Sequence, residues 1–150
     1  MVRAVSALAR DRSRLIGIVS GRGEVSPAFR ERIMLAVTAV NQCRYCSFVH
    51  TRVALLEGVD RCDVDRLLGG ELGETPADEV EAVLYAQHWA DTGGHPDPAA
   101  RDKLFQIYGD EQARTIETVI RTIMFGNYFG NAVDGVFNSV SGGRLASSKR

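Results

Sequence analysis

Apolar residues recur along the chain at the three- and four-residue spacing of helices, and no segment alternates apolar and polar residues as a strand does. The clearest start signal is Ser26 followed by Pro27, an N-cap and a first helical position, which predicts a helix to about Asn41. Only Thr38 is polar between residues 33 and 40. This helix is therefore expected to be buried nearly all round and to lie at the centre of the fold.

Further helices follow, separated by glycine, proline and polar breaks. They are predicted at 43–57, ended by Gly58; about 61–68, ended by Gly69 and Gly70; about 75–90, with Thr75 as N-cap and Pro76 at the first position; about 97–108, closed by Gly109; and about 111–140. Residues 1–20 are predicted to be helical in part, and residues 141–150 to be a polar tail. The pattern predicts an all-α bundle of about six to seven helices, without a sheet, in a single domain over residues 1–150.

Composition and charge narrow the class of partner. The chain has 18 basic and 19 acidic side chains and a net charge of −1, which argues against nucleic acid as a partner. The apolar run at residues 15–19 is far shorter than the roughly 20 residues that span a bilayer, and no clear signal-peptide cleavage site follows it. Three cysteines, an odd number, fit a reducing compartment. A cytoplasmic protein without a membrane partner is expected.

Two cysteines and a histidine share one face of the predicted second helix: Cys43, Cys46 and His50. Only the thiolate is a nucleophile, and a helix N-terminus and a base one turn beyond Cys46 would both favour it. Cys46 is therefore predicted to be the attacking sulfur. Cys43, nearer the helix end and expected to be the more accessible, would condense with a sulfenic acid on Cys46 to give a disulfide. A thioredoxin-like arrangement would reverse these two roles, and the spacing leaves that order open.

A histidine that acts as a base needs an orienting partner, usually a buried carboxylate. Glu31 is the best candidate because it is expected in the first turn of the apolar helix that precedes the cysteines. Its pairing with His50 would form a proton relay beside the sulfurs.

Glu31, eleven residues, Cys43-x-x-Cys46, three residues and His50 form a pattern that resembles the carboxymuconolactone decarboxylase and alkylhydroperoxidase D superfamily. The resemblance covers about residues 26–138. It implies an all-helical fold, homo-oligomers and, in the cysteine-bearing branch, reduction of a hydroperoxide without a bound cofactor. The redox disulfide would be regenerated by an external dithiol such as a lipoyl- or thioredoxin-type protein.

In that branch the residue matching Cys46 meets the peroxide, the residue matching Cys43 resolves it, and those matching His50 and Glu31 relay protons. The founding alkylhydroperoxidase has a second histidine where this chain has Tyr45. Tyr45 is therefore an auxiliary candidate, and the departure puts the full relay and the peroxidase rate in question.

Other functions fit parts of the pattern. A lyase acting on a lactone acid, as in the decarboxylase branch, would need no paired cysteines, and that branch usually lacks them. Cys43, Cys46 and His50 could instead bind zinc with Cys62 as a fourth ligand, in a non-enzymatic or redox-sensing module. The aromatic residues of the last helix are expected in the core or at a subunit interface, or they could line a pocket for an organic hydroperoxide; they are Phe125, Tyr128, Phe129 and Phe137.

Overall fold

The computed structural model describes residues 25–140, which form five helices and no strand. In chain order the helices are α1 (Pro27–Asn41), α2 (Arg44–Leu56), α3 (Arg61–Leu68), α4 (Val80–Asp91) and α5 (Pro98–Val140). The predicted all-α class is confirmed. The partly helical segment predicted at 1–20 and the tail predicted at 141–150 lie outside the described residues. Between residues 25 and 140, no helix is both long and apolar enough to cross a membrane.

The last helix explains why fewer helices are seen in the described residues than the sequence predicts. The two helices predicted at 97–108 and 111–140 are arms of a single bent element, α5, with a bend at Gly109. Gly109 has φ 69° and ψ 172°, a backbone conformation that glycine adopts without the strain a side chain would add. The predicted break is therefore present as a bend.

Helix α1 is the centre of the fold, as its apolar sequence predicts. The Ser26 hydroxyl caps it by accepting a hydrogen bond from the Phe29 N–H at 3.2 Å. α1 packs against each of the other four helices, and every residue from Ile33 to Thr38 is buried. It ends at Gln42, whose left-handed conformation (φ 52°) turns the chain into α2.

The start of α4 differs from the prediction. Thr75 and Pro76 were expected to cap and open this helix, but it begins at Val80 and has no side-chain cap. The Thr75 hydroxyl donates instead to the Leu72 carbonyl, a local hydrogen bond that competes with capping. Residues 76–80 form a hydrogen-bonded turn ahead of the helix.

Helix α5 supplies the missing cap from outside α4. The Tyr108 hydroxyl accepts a hydrogen bond from the Ala82 N–H at 3.2 Å and donates one to the Asp78 carbonyl at 2.7 Å. An N–H of the first turn, which would otherwise lack an intrahelical acceptor, is thereby satisfied by a tertiary contact.

A buried polar cluster fastens α5 to α4. The Glu117 carboxylate is buried and accepts hydrogen bonds from Arg101 (2.7 Å), Arg121 (2.9 Å) and the Tyr85 hydroxyl (3.3 Å). Burial, and then the Glu117 charge, raise the pKa of Tyr85, so that its hydroxyl stays protonated and donates. This cluster fixes the helix whose second arm forms one wall of the site described next.

Candidate active site

The cysteine pair lies at the start of α2. Cys43 is the N-cap residue rather than a member of the first turn, and its sulfur accepts a hydrogen bond from the Cys46 N–H at 3.3 Å. The two residues form a disulfide, with their Cα atoms 5.2 Å apart. The local turn that the C-x-x-C spacing predicts therefore brings the two sulfurs together.

The exposure of the two sulfurs is the reverse of the prediction. Cys43 is 1% exposed and Cys46 is 5% exposed, and only Cys46 lines the adjacent cavity. The expectation that Cys43 is the more accessible sulfur is wrong because the backbone of α5 lies over it. A Cβ on Gly130 of α5 would stand 2.7 Å from the Cys43 sulfur.

Glu31 and His50 form a hydrogen-bonded pair. His50 Nδ1 lies 2.8 Å from Glu31 Oε2, and Glu31 Oε1 accepts a hydrogen bond from Arg30 Nε at 3.2 Å. The Glu31 side chain is 3% exposed and lies in the second turn of α1, one turn later than predicted. When the Glu31 carboxylate is ionised it can only accept a hydrogen bond, so His50 then donates from Nδ1 and Nε2 is left as a proton acceptor.

Cys46 and His50 open on the same cavity, which has a volume of about 610 Å³. Helix α2 forms one wall, with Tyr45 and Val49 beside these two residues, and residues 123–134 of α5 contribute the opposite wall. The lining is mainly apolar, contains one carboxylate, Asp134, and includes no lysine or arginine among the described residues. Tyr45 is 70% exposed.

Three aromatic side chains on the second arm of α5 lie outside the core. Phe125, Tyr128 and Phe129 are exposed, and Phe129, at 65%, lines the cavity. The core interpretation is therefore wrong for these three side chains. The side chain of Phe137 lies outside the described part of the chain.

Polar contacts hold this arm of α5 against the end of α1. The Thr38 hydroxyl donates to the fully buried Asn127 Oδ1 at 3.3 Å, and Asn131 Nδ2 donates to the Asn41 carbonyl at 2.9 Å. Gly130 lies between the two asparagines on α5. A glycine at this position allows α5 to approach its neighbours closely, but the sequence carried no signal that the cysteines are those neighbours.

The zinc interpretation finds no support in the geometry. Cys62, the proposed fourth ligand, is a free, exposed thiol on α3, and its N–H donates to Asp60 at 2.7 Å. Within residues 25–140, no group of three or more His, Cys, Asp or Glu side chains is placed to hold a metal ion.

These features define a class of all-helical proteins in which a C-x-x-C disulfide opens one helix beside a histidine–carboxylate pair. Residues 7–92 match the model of the Carboxymuconolactone decarboxylase family, and the chain belongs to this family. Comparison with curated proteins gave no match, and comparison with solved structures gave none either.

Proposed function

We propose that the protein is a thiol-dependent peroxidase that reduces hydroperoxides through the Cys43–Cys46 pair. One observation supports this function above the others: Cys46 and His50 line the same cavity, while Cys43 stands within disulfide-bonding distance of Cys46. Glu31 orients His50 from behind. A nucleophile, a base and a resolving thiol are thus gathered at one site.

The reaction begins with the Cys46 thiolate, which attacks the terminal oxygen of the hydroperoxide. The O–O bond breaks, the alkoxide takes a proton from protonated His50 and leaves as an alcohol, and Cys46 becomes a sulfenic acid. Cys43 then attacks the Cys46 sulfur, hydroxide leaves and is protonated to water, and the disulfide forms. Two electrons pass from the two sulfurs to the peroxide, and an external dithiol of the lipoyl or thioredoxin type, in a reducing compartment, restores them.

The relay of Glu31 and His50 moves the proton in both directions. His50 Nε2 first accepts the thiol proton of Cys46, and the imidazolium then supplies it to the departing alkoxide. Glu31 stabilises the imidazolium while it exists. Tyr45 offers a hydroxyl where the founding alkylhydroperoxidase has an imidazole, so its auxiliary role is to orient the substrate at the cavity rather than to act as a second base.

The lining of the cavity favours a neutral organic hydroperoxide. The second candidate, a lyase acting on a lactone acid, is favoured by the family to which the chain belongs. Such a substrate carries carboxylates, which bind where lysine or arginine side chains meet them. Among the described residues that line the cavity there is no such side chain, and Asp134 is present instead. Activity of a Cys43→Ser, Cys46→Ser double variant on a carboxymuconolactone-like substrate would support the lyase.

The proposal predicts that one equivalent of organic hydroperoxide converts the reduced protein into the Cys43–Cys46 disulfide. Mass spectrometry of the cysteine peptides, after alkylation of free thiols, measures the conversion. Cys62 is expected to stay a free thiol and to be alkylated with and without hydroperoxide, because it lies on α3 outside the site. Turnover is then tested with lipoyl and thioredoxin donors. A reduced pair that survives a full equivalent of hydroperoxide would contradict the proposal.

The exposed apolar face supports a homo-oligomer. Phe129, Val133 and Val136 are exposed and recur at four- and three-residue spacing along one face of α5, and Phe48 on α2 is exposed as well; large apolar side chains exposed along one helix face are typical of an interface. Val136→Glu is expected to lower the mass measured by light scattering during size-exclusion chromatography. Gln106→Glu, an exposed position on the first arm of α5, is the control and should leave the mass unchanged. Equal masses for the two variants would contradict an interface at this face.

A further inference from the structure

Gly130 leaves space that the disulfide occupies. A Cβ at this position would stand 2.7 Å from Cys43 Sγ and 3.4 Å from Cys46 Sγ. Non-bonded carbon atoms are best separated by about 3.5–4.0 Å, so the first of these distances is a collision. Gly126 lines the same cavity from the same helix, yet a Cβ there would meet no atom of residues 25–140 within 4 Å. A side chain at position 130 would therefore collide with the disulfide, whereas a side chain at position 126 would not.

The close approach at Gly130 decides which sulfur a second molecule can reach. Cys43 is covered by the backbone of α5 and does not line the cavity, whereas Cys46 does. Exchange between a thiol and a disulfide requires the incoming thiolate to reach the sulfur that it attacks. A thiol that enters the cavity therefore meets Cys46.

The surroundings of Cys43 favour it as the sulfur that departs. It is the N-cap of α2, and its Sγ accepts a hydrogen bond from the Cys46 N–H at 3.3 Å. The hydrogen bond and the N-terminal end of the helix both stabilise negative charge on that sulfur. A sulfur that carries negative charge more readily leaves faster in exchange. Both the accessibility of Cys46 and the stability of a Cys43 thiolate therefore favour attack on Cys46 with Cys43 as the leaving group.

We infer that Gly130 is a positioning residue that directs reduction of the disulfide to Cys46, an inference that rests on the proposed thiol function. One thiolate of an external dithiol attacks Cys46 Sγ, the bond to Cys43 breaks, and Cys43 leaves as a thiolate. The second sulfur of the reductant then attacks the reductant's own sulfur in the mixed disulfide and releases Cys46 as a thiolate. The reductant departs as a disulfide, its two electrons stay on the cysteines, and its two protons return to them.

The site of attack is measured directly on the oxidised protein. The Cys62→Ser variant, mixed with glutathione as a monothiol, is quenched in acid, alkylated and mapped by mass spectrometry. Glutathione is expected on Cys46 and the alkyl group on Cys43, in a ratio of at least about 10 to 1. Glutathione on Cys43, or an equal division between the two sulfurs, would overturn the inference.

The role of Gly130 is tested by comparing Gly130→Ala with Gly126→Ala. Both variants gain the same helix propensity, so a difference between them reports the contact with the sulfurs. The new methyl group collides with Cys43 in the disulfide, while a reduced Cys43 can rotate away. The equilibrium constant for disulfide formation against dithiothreitol is expected to fall about tenfold in Gly130→Ala, which is about 30 mV, and to be unchanged in Gly126→Ala.

Equal equilibrium constants for the two alanine variants would refute the close packing of Gly130 against the disulfide, on which the positioning role depends. Circular dichroism of the reduced variants verifies that both are folded. The mapping of the glutathione adduct does not use either alanine variant, so it tests the site of attack even if one of them fails to fold. No step of these experiments uses a peroxide. A protein that exchanges at Cys46 but does not turn over hydroperoxide would refute the proposed peroxidase function and leave this inference standing. A protein that turns over hydroperoxide but exchanges at Cys43 would refute this inference and leave the peroxidase function standing.

Discussion

Replacing Cys46 with serine is expected to reduce hydroperoxide turnover to the rate measured without protein. A serine hydroxyl is not ionised near neutral pH and cannot be oxidised to a sulfenic acid, so the first step is lost. Steady-state consumption of an organic hydroperoxide, with a dithiol as reductant, measures the effect. Cys62→Ser is the matched control because its sulfur is exposed on α3, outside the site, and it should retain the full rate.

The companion variant separates the roles of the two sulfurs. Cys43→Ser should still consume one equivalent of hydroperoxide and accumulate a sulfenic acid on Cys46, because only the resolving step is removed. A dimedone adduct on Cys46, identified by mass spectrometry, would record that state. Peroxidase turnover that persists in Cys46→Ser would show that the assignment of the attacking sulfur is mistaken.

Replacing Glu31 with glutamine is expected to slow oxidation of the cysteine pair roughly 100-fold, the lower range for removal of acid–base assistance. The amide keeps the size of the buried side chain but removes the charge that stabilises protonated His50, 2.8 Å away. Stopped-flow measurement of disulfide formation after one equivalent of hydroperoxide gives the rate.

Two comparisons make the result specific to the relay. Glu71→Gln changes an exposed carboxylate between α3 and α4 and should leave the rate unchanged. His50→Gln should slow the reaction at least as much as Glu31→Gln, and the double variant should be no slower than His50→Gln because the two residues act as one unit. Additive losses would mean that Glu31 acts on the sulfurs by a route that does not involve His50.

The sequence predicted which groups lie together at the proposed site because their relationship is mostly local. Cys43, Cys46 and His50 belong to one turn and one helix, so helical periodicity is enough to place them together. Glu31 comes from the preceding helix, and the order of residues in the family resemblance supplied that contact. The contact itself, 2.8 Å long, is present in the structure.

The errors arose where distant segments or competing local bonds decide the outcome. Cys43 was expected to be accessible because helix ends are usually exposed, but α5 covers it at Gly130. Thr75 has the right residue type for an N-cap, yet its hydroxyl bonds to Leu72. The apolar pattern of α5 could not show which face meets α1, so it left the core, a subunit interface and a pocket open as positions for Phe129, which is exposed.

Two separate segments of the chain form the cavity, and each contributes a different kind of residue. The groups proposed to react come from α1 and α2, whereas Ile123 and Val133 on the facing wall belong to the second arm of α5. That arm lies beyond residue 92, where the family match ends. A change of side-chain size at Val133, which is exposed rather than packed in the core, is therefore expected to resize the compartment while leaving the sulfurs and the imidazole in place. In this architecture, substitutions on the wall formed by α5 can change which molecules fit the cavity without changing the reactivity of the sulfurs.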